Sequence, residues 1–145
     1  MSKVICYTKL HLPENYDENS WYFELFSKPL ESQDNVGYVG NGLLRELRRS
    51  KITPSSEALD FVIIAMSVVS ADKAILRRNS PDGWTRQINL EIPLQKAEEW
   101  EKVKDKLEKM LRFLSGDFWK LTFTQLPESI ALDNFTEDRA VSYTH

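Results

Sequence analysis

The 145 residues suit a single hydrophobic core, since one core commonly serves about 100–150 residues before a chain divides. Four Trp, five Tyr and seven Phe within an apolar fraction of 41% supply enough large side chain to fill that core, which excludes global disorder. A formal charge of −3 excludes a surface coated in basic residues for duplex DNA, and a lone cysteine, Cys6, excludes an internal disulfide or a cysteine-rich zinc or iron–sulfur site.

In chain order, residues 4–10 and 21–26 mix β-branched or aromatic side chains with polar ones at a period near two, and read as strands. Between them, Pro13-Glu14-Asn15-Tyr16-Asp17-Glu18-Asn19-Ser20 is polar and contains a proline with no ladder donor, so it reads as a loop. Asn41 is placed to cap a short helix over 42–50, with Leu43, Leu44 and Leu47 on one side and Arg45, Arg48 and Arg49 on another. Thr53-Pro54-Ser55-Ser56 then supplies cap hydroxyls and a first-turn proline for a long helix ending near residue 76. Its apolar run over 59–69 points in nearly every direction and falls short of the roughly 20 residues of a membrane span, so it is expected at the centre of the core.

Ser80-Pro81-Asp82-Gly83 signals a turn, after which Ile88, Leu90 and Ile92 alternate with Gln87, Asn89 and Glu91 in a one-faced strand closed by Pro93. Residues 95–114 place Trp100, Val103, Leu107, Met110, Leu111 and Leu114 on one helical stripe. The pairs Glu98–Lys102, Lys104–Glu108 and Glu108–Arg112 mark the wet face. Gly116 ends this helix, and Trp119, Leu121 and Phe123 alternate with polar residues in a last strand. The expected architecture is α+β: one domain over 1–126, built as a mainly antiparallel sheet with two long helices packed on it. A tail or docking segment over 127–145 follows, since those residues show no sustained period. The lone Cys6 fits a reducing cytoplasm, the N-terminus lacks the apolar stretch of a signal peptide, and the short 59–69 run points to no membrane.

Asp72 has Val68, Val69, Ile75 and Leu76 three and four positions away, so an ionised carboxylate there needs a partner. Arg77, Arg78 and Arg86 are the candidates. Arg86 is favoured because the Asp82-Gly83 turn returns the chain to the helix end, and the expected result is an Asp72–Arg86 salt bridge. Together with Trp84, which can stack a base or cap the core edge, these residues form a candidate binding group. Its plainer reading is a structural pin. Arg45, Arg48 and Arg49 could follow a nucleic-acid backbone, although no aromatic platform interleaves with them and a solvated helix face is the simpler reading. His11 and His145 are isolated and no serine sits beside a histidine base, so no catalytic residue, metal site or cofactor is assigned.

Two blocks carry a family resemblance. One is SSEALDFVIIAMSVVSADKAILRRNSPDGWTRQINLEIPL, which holds Ala71-Asp72-Lys73, Arg77-Arg78 and Asp82-Gly83-Trp84-Thr85-Arg86; the other is LRFLSGDFWKLTF. In that order they resemble the N-terminal region of QueC-like proteins, relatives of 7-cyano-7-deazaguanine synthase found in bacterial antiphage systems such as Qat and type IV CBASS. In those relatives the region precedes an ATP-pyrophosphatase domain with a Ser-Gly-Gly-x-Asp-Ser phosphate loop. Here Ser115-Gly116-Asp117 lacks the second glycine and ends a helix where such a loop would start one. Cys6 alone cannot build the synthase's cysteine-ligated zinc site. The resemblance therefore implies a non-catalytic recognition or adaptor domain serving a protein partner with the pyrophosphatase domain. Two alternatives stay open: a nucleic-acid-binding module using the Arg45, Arg48 and Arg49 patch, and a small enzyme with its site around Asp72 and Arg86.

Overall fold

The structure, a computed structural model, describes residues 2–30 and 33–127, so the expected tail lies outside it from residue 128 onward. Among the described residues, β1 (Ser2–Thr8), β2 (Ser20–Leu25), β3 (Val36–Val39), β4 (Gln87–Leu94) and β5 (Phe118–Gln125) form one sheet in the order β3-β2-β1-β4-β5. Helices α1 (Leu43–Arg49) and α2 (Ser56–Ala74) lie between β3 and β4 in the chain, and α3 (Ala97–Glu101) and α4 (Lys104–Ser115) between β4 and β5.

Every strand pairing is parallel, which corrects the expected mainly antiparallel α+β sheet to a parallel α/β one. Helical connections between β3 and β4 and between β4 and β5 return the chain across the sheet, so successive strands enter from the same end. Between β1 and β2 the return is made by residues 9–19 without a helix. The error came from the one-sided alternation of the strands. Parallel strands are usually covered on both faces and read as continuous apolar runs; here only one face carries the main core.

The register makes this explicit. Val4, Cys6, Leu25, Ile88, Leu90, Ile92, Trp119 and Leu121 fall on one face and join the principal core, to which all four helices contribute through Leu44, Ile63, Ala97 and Leu111 among others. The opposite face presents the polar Lys3, Asn89, Glu91, Lys120 and Thr122 over β1, β4 and β5. Over β1, β2 and β3 it presents Tyr7, Tyr22, Glu24 and Tyr38 instead.

Three local departures from expectation have physical causes. β3 was missed because Gly37 interrupts its apolar pattern; the Phe23 ring covers that position so closely that an added Cβ would meet it at 2.6 Å. Pro93 does not close β4, which continues to Leu94, because the β1 pairing stops at Glu91 and no ladder on that side needs the missing N–H. The helix expected over 95–114 is two, α3 and α4, and the Met110 and Leu114 end of its apolar stripe is exposed. Its surface ion pairs are Lys102–Glu99 and Lys104–Glu101, three apart rather than four. Glu108 instead accepts from the Leu121 backbone N–H on edge strand β5, at 2.8 Å.

Ser55 caps α2 as expected, its side chain accepting from Ala58 N–H. Asp60, fully buried in α2, accepts from the N–H groups of Gln95 and Lys96, fastening the turn after β4 to the helix. No helix among the described residues is long and apolar enough to cross a membrane.

Candidate functional site

Besides Asp60 in α2, two buried carboxylates lie at opposite ends of the sheet. At the amino-terminal ends of β4 and β5, Arg86 and Asp117 directly precede the paired positions Gln87 and Phe118. Asp117 is 0% exposed; its Oδ1 accepts from the Arg86 backbone N–H and Arg77 Nη1, and its Oδ2 from Arg86 Nε, Arg86 Nη2 and Arg77 Nη2. Arg86 also donates through Nη1 to the carbonyls of Asp72 and Ile75, and through Nη2 to Asp72 Oδ1 at 2.6 Å. The expected Asp72–Arg86 bridge therefore forms.

Its surroundings differ from expectation. The Asp72 side chain is 56% exposed rather than enclosed by valines, and the buried partner of Arg86 is Asp117. Burial pushes the Asp117 carboxyl up, yet the hydrogen bonds and charge of Arg86, with Arg77, hold it below the usual carboxylate range. Burial also works against the Arg86 charge, and Asp117 and Asp72 outweigh it, raising the guanidinium further. A guanidinium has five N–H donors, and all five of Arg86's are used within the chain. The cluster thus ties the end of α2 to the starts of β4 and β5, leaving Arg86 nothing to offer a ligand. Arg78 is exposed outside it, and Trp84 is 72% exposed with the Arg77 guanidinium 6.0 Å from its ring.

The other carboxylate, Glu24, faces a cavity. This cavity of about 810 Å³ opens beyond the carboxyl-terminal ends of β1, β2 and β3, the place where parallel α/β sheets ordinarily bind ligands. The register sets Tyr7, Glu24 and Tyr38 side by side across the three strands, and all three line the cavity. Glu24 is 7% exposed, and among the described residues no hydrogen bond or ion pair holds its carboxylate. Tyr16 from the 9–19 loop packs edge-on against Tyr7 and tilted against Tyr22, and donates to the Tyr7 hydroxyl at 3.2 Å. Tyr22 anchors that loop by accepting from Asp17 N–H. Burial, the Tyr16 hydrogen bond and the Glu24 charge together push the Tyr7 phenol well above its ordinary range, so it stays protonated.

The cavity walls carry two further marks. Phe26 holds φ at 65°, a conformation that a bulky side chain adopts at a cost of about 1–3 kcal/mol and that gathers at functional sites. Gly42, at φ 85°, starts α1 so that Arg45 turns back beside it into the cavity lining, where its Nε is buried without a hydrogen-bond partner. Arg45 is therefore separated from the exposed Arg48 and Arg49, and Arg49 pairs with Glu46. The expected arginine face is divided.

Sequence reasoning missed both Asp117 and Glu24. Arg86 is buried and needs more acceptors than Asp72 alone, a demand that Asp117 meets only once β4 and β5 pair. Glu24 stands between Phe23 and Leu25 in a strand, where a charge is costly without a purpose. No family model, curated protein or solved structure matches the chain.

Proposed function

We propose that this chain is a non-catalytic recognition domain whose ligand site is the cavity beyond β1, β2 and β3. Glu24 carries the reading: a carboxylate 7% exposed, lining a cavity at the carboxyl ends of parallel strands and held by no partner among the described residues. Such a group destabilises the free protein and gains its hydrogen bonds from what binds. The protonated Tyr7 beside it offers a ligand a hydrogen-bond donor. The test is a fragment screen by amide NMR on isotopically labelled protein. Shift changes centred on Tyr7, Glu24 and Tyr38 are expected; hits confined to other surfaces would remove the reading.

The biological setting rests on the two sequence blocks alone. From their resemblance to the QueC-like N-terminal region, we assign the domain to adaptor duty for a pyrophosphatase-domain, deazaguanine-synthase-like partner in cytoplasmic antiphage defence. Co-purification of that partner from the native locus is the expected result. No complex at micromolar concentrations of both proteins would sink the assignment while leaving the cavity reading intact.

A further inference from the structure

We infer that the cavity takes a primary monoamine with an apolar body, its ammonium group seated at Glu24. This rests on the cavity being the ligand site and names what enters it. A buried charge is ordinarily paired. Glu24 is 7% exposed, and among the described residues no ion pair or hydrogen bond holds its carboxylate. An ionised carboxylate only accepts, so the group that completes it must donate. An ammonium brings N–H donors together with the opposite charge. A ligand anion at this point would meet a like charge, and a neutral hydroxyl would bond to the carboxylate without neutralising it.

The surroundings of Glu24 are aromatic. The register places Tyr7 on one side of it and Tyr38 on the other, on the same face of the sheet. Tyr16 packs edge-on against Tyr7 with ring centroids 6.2 Å apart, and all three tyrosines line the cavity. Ring faces attract cations, and rings grouped about one site are a recurring means of holding ammonium groups. The apolar body is read from the rim. Leu12, Tyr16 and Leu30 line the cavity yet are 54%, 40% and 72% exposed, so large apolar side chains from two loops stand open to water there. An aryl or alkyl chain leading out from Glu24 would cover them. Lys28 and Arg45 also line the cavity, and neither pairs with Glu24. A second ammonium on the ligand would approach them, which favours a monoamine over a diamine.

The experiment is isothermal titration of the full chain with phenethylamine, hexylamine, 2-phenylethanol, phenylacetate and putrescine at neutral pH. Phenethylamine, 2-phenylethanol and phenylacetate share an aromatic body and differ in the charge of the head. Phenethylamine is expected to bind about tenfold more tightly than either of the other two, and hexylamine more tightly than putrescine. Glu24→Gln should erase the margin of the amine over the alcohol, and Tyr38→Leu should reduce it; circular dichroism melts confirm that both variants fold. Phenylacetate binding more tightly than phenethylamine would overturn the inference in favour of an anion site. Equal affinity for the amine and the alcohol, a margin that survives Glu24→Gln, or silence from both monoamines would also overturn it. If that happens while NMR fragments still gather at Glu24, the ligand class is wrong and the site stands; fragments gathering only elsewhere remove the site as well.

Discussion

Asp117 and Glu24 are both buried acids in one small sheet, and they have opposite fates. Asp117, ahead of β5, accepts five hydrogen bonds from two arginines. Glu24, near the far end of β2, accepts none among the described residues. At the amino-terminal ends of the strands the chain has completed its electrostatics, and the result is rigidity. At the carboxyl ends it has left a charge, a buried guanidinium nitrogen and a left-handed phenylalanine unresolved, and the result is a place for something else to bind. Satisfaction, rather than burial or residue type, separates the structural acid from the candidate functional one.

The sharpest way to break this contrast is to remove Asp117. Asp117→Ala leaves Arg86 buried with its main partner gone, and breaking such a pair from one side costs about 3–5 kcal/mol, a large part of the stability of a small domain. Urea titration should show the midpoint collapse; an unchanged midpoint would mean the cluster is not a pin. Acid probes the same group without a substitution. Because its folded pKa lies below the ordinary value near 3.8, its contribution is complete above that value and fades as pH falls through the folded one. Stability attributable to Asp117 should thus hold from neutral pH down to about 5 and fall below about 4, with a shallower fall in Asp117→Asn.

Glu24→Gln should move stability the other way. It removes an unpaired charge while keeping the shape, so a gain of up to about 1 kcal/mol is expected in thermal or urea melts. A clear loss would show that the carboxylate has a structural partner and would erase the contrast. Asp72→Ala should do least. At 56% exposure its bridge to Arg86 is largely solvent-screened, and a change of about 0–1 kcal/mol is expected. A double-mutant cycle with Arg86→Ala would show weak coupling for Asp72 and strong coupling for Asp117.

Much of the fold was legible one element at a time. The alternation of Ile88, Leu90 and Ile92 located β4, the Ser55 cap started α2, and Gly116, at φ 78°, ended α4. Strand direction was not legible, because alternation reports how many faces are buried and says nothing of which way the neighbour runs. The Asp72–Arg86 contact was legible because a single turn brings the two together. Asp117 is 31 residues from Arg86 and reaches it only through the β4–β5 pairing. The cavity was hidden for the same reason: Tyr7, Glu24 and Tyr38 converge only once three strands lie parallel and in register.

The hydrogen bond from Leu121 to Glu108 bears on how the molecule keeps to itself. β5 is the outermost strand on its side, and an outer strand with free amide groups is a template on which a second copy can add its own strand, the first step towards sheet-to-sheet aggregation. By reaching from α4 to that backbone N–H, Glu108 occupies one template position midway along the strand and sets a negative charge where an incoming backbone would have to lie. Lys120, exposed next to it, adds a second charge to the approach. The helix that covers the core thus also guards the border of the sheet.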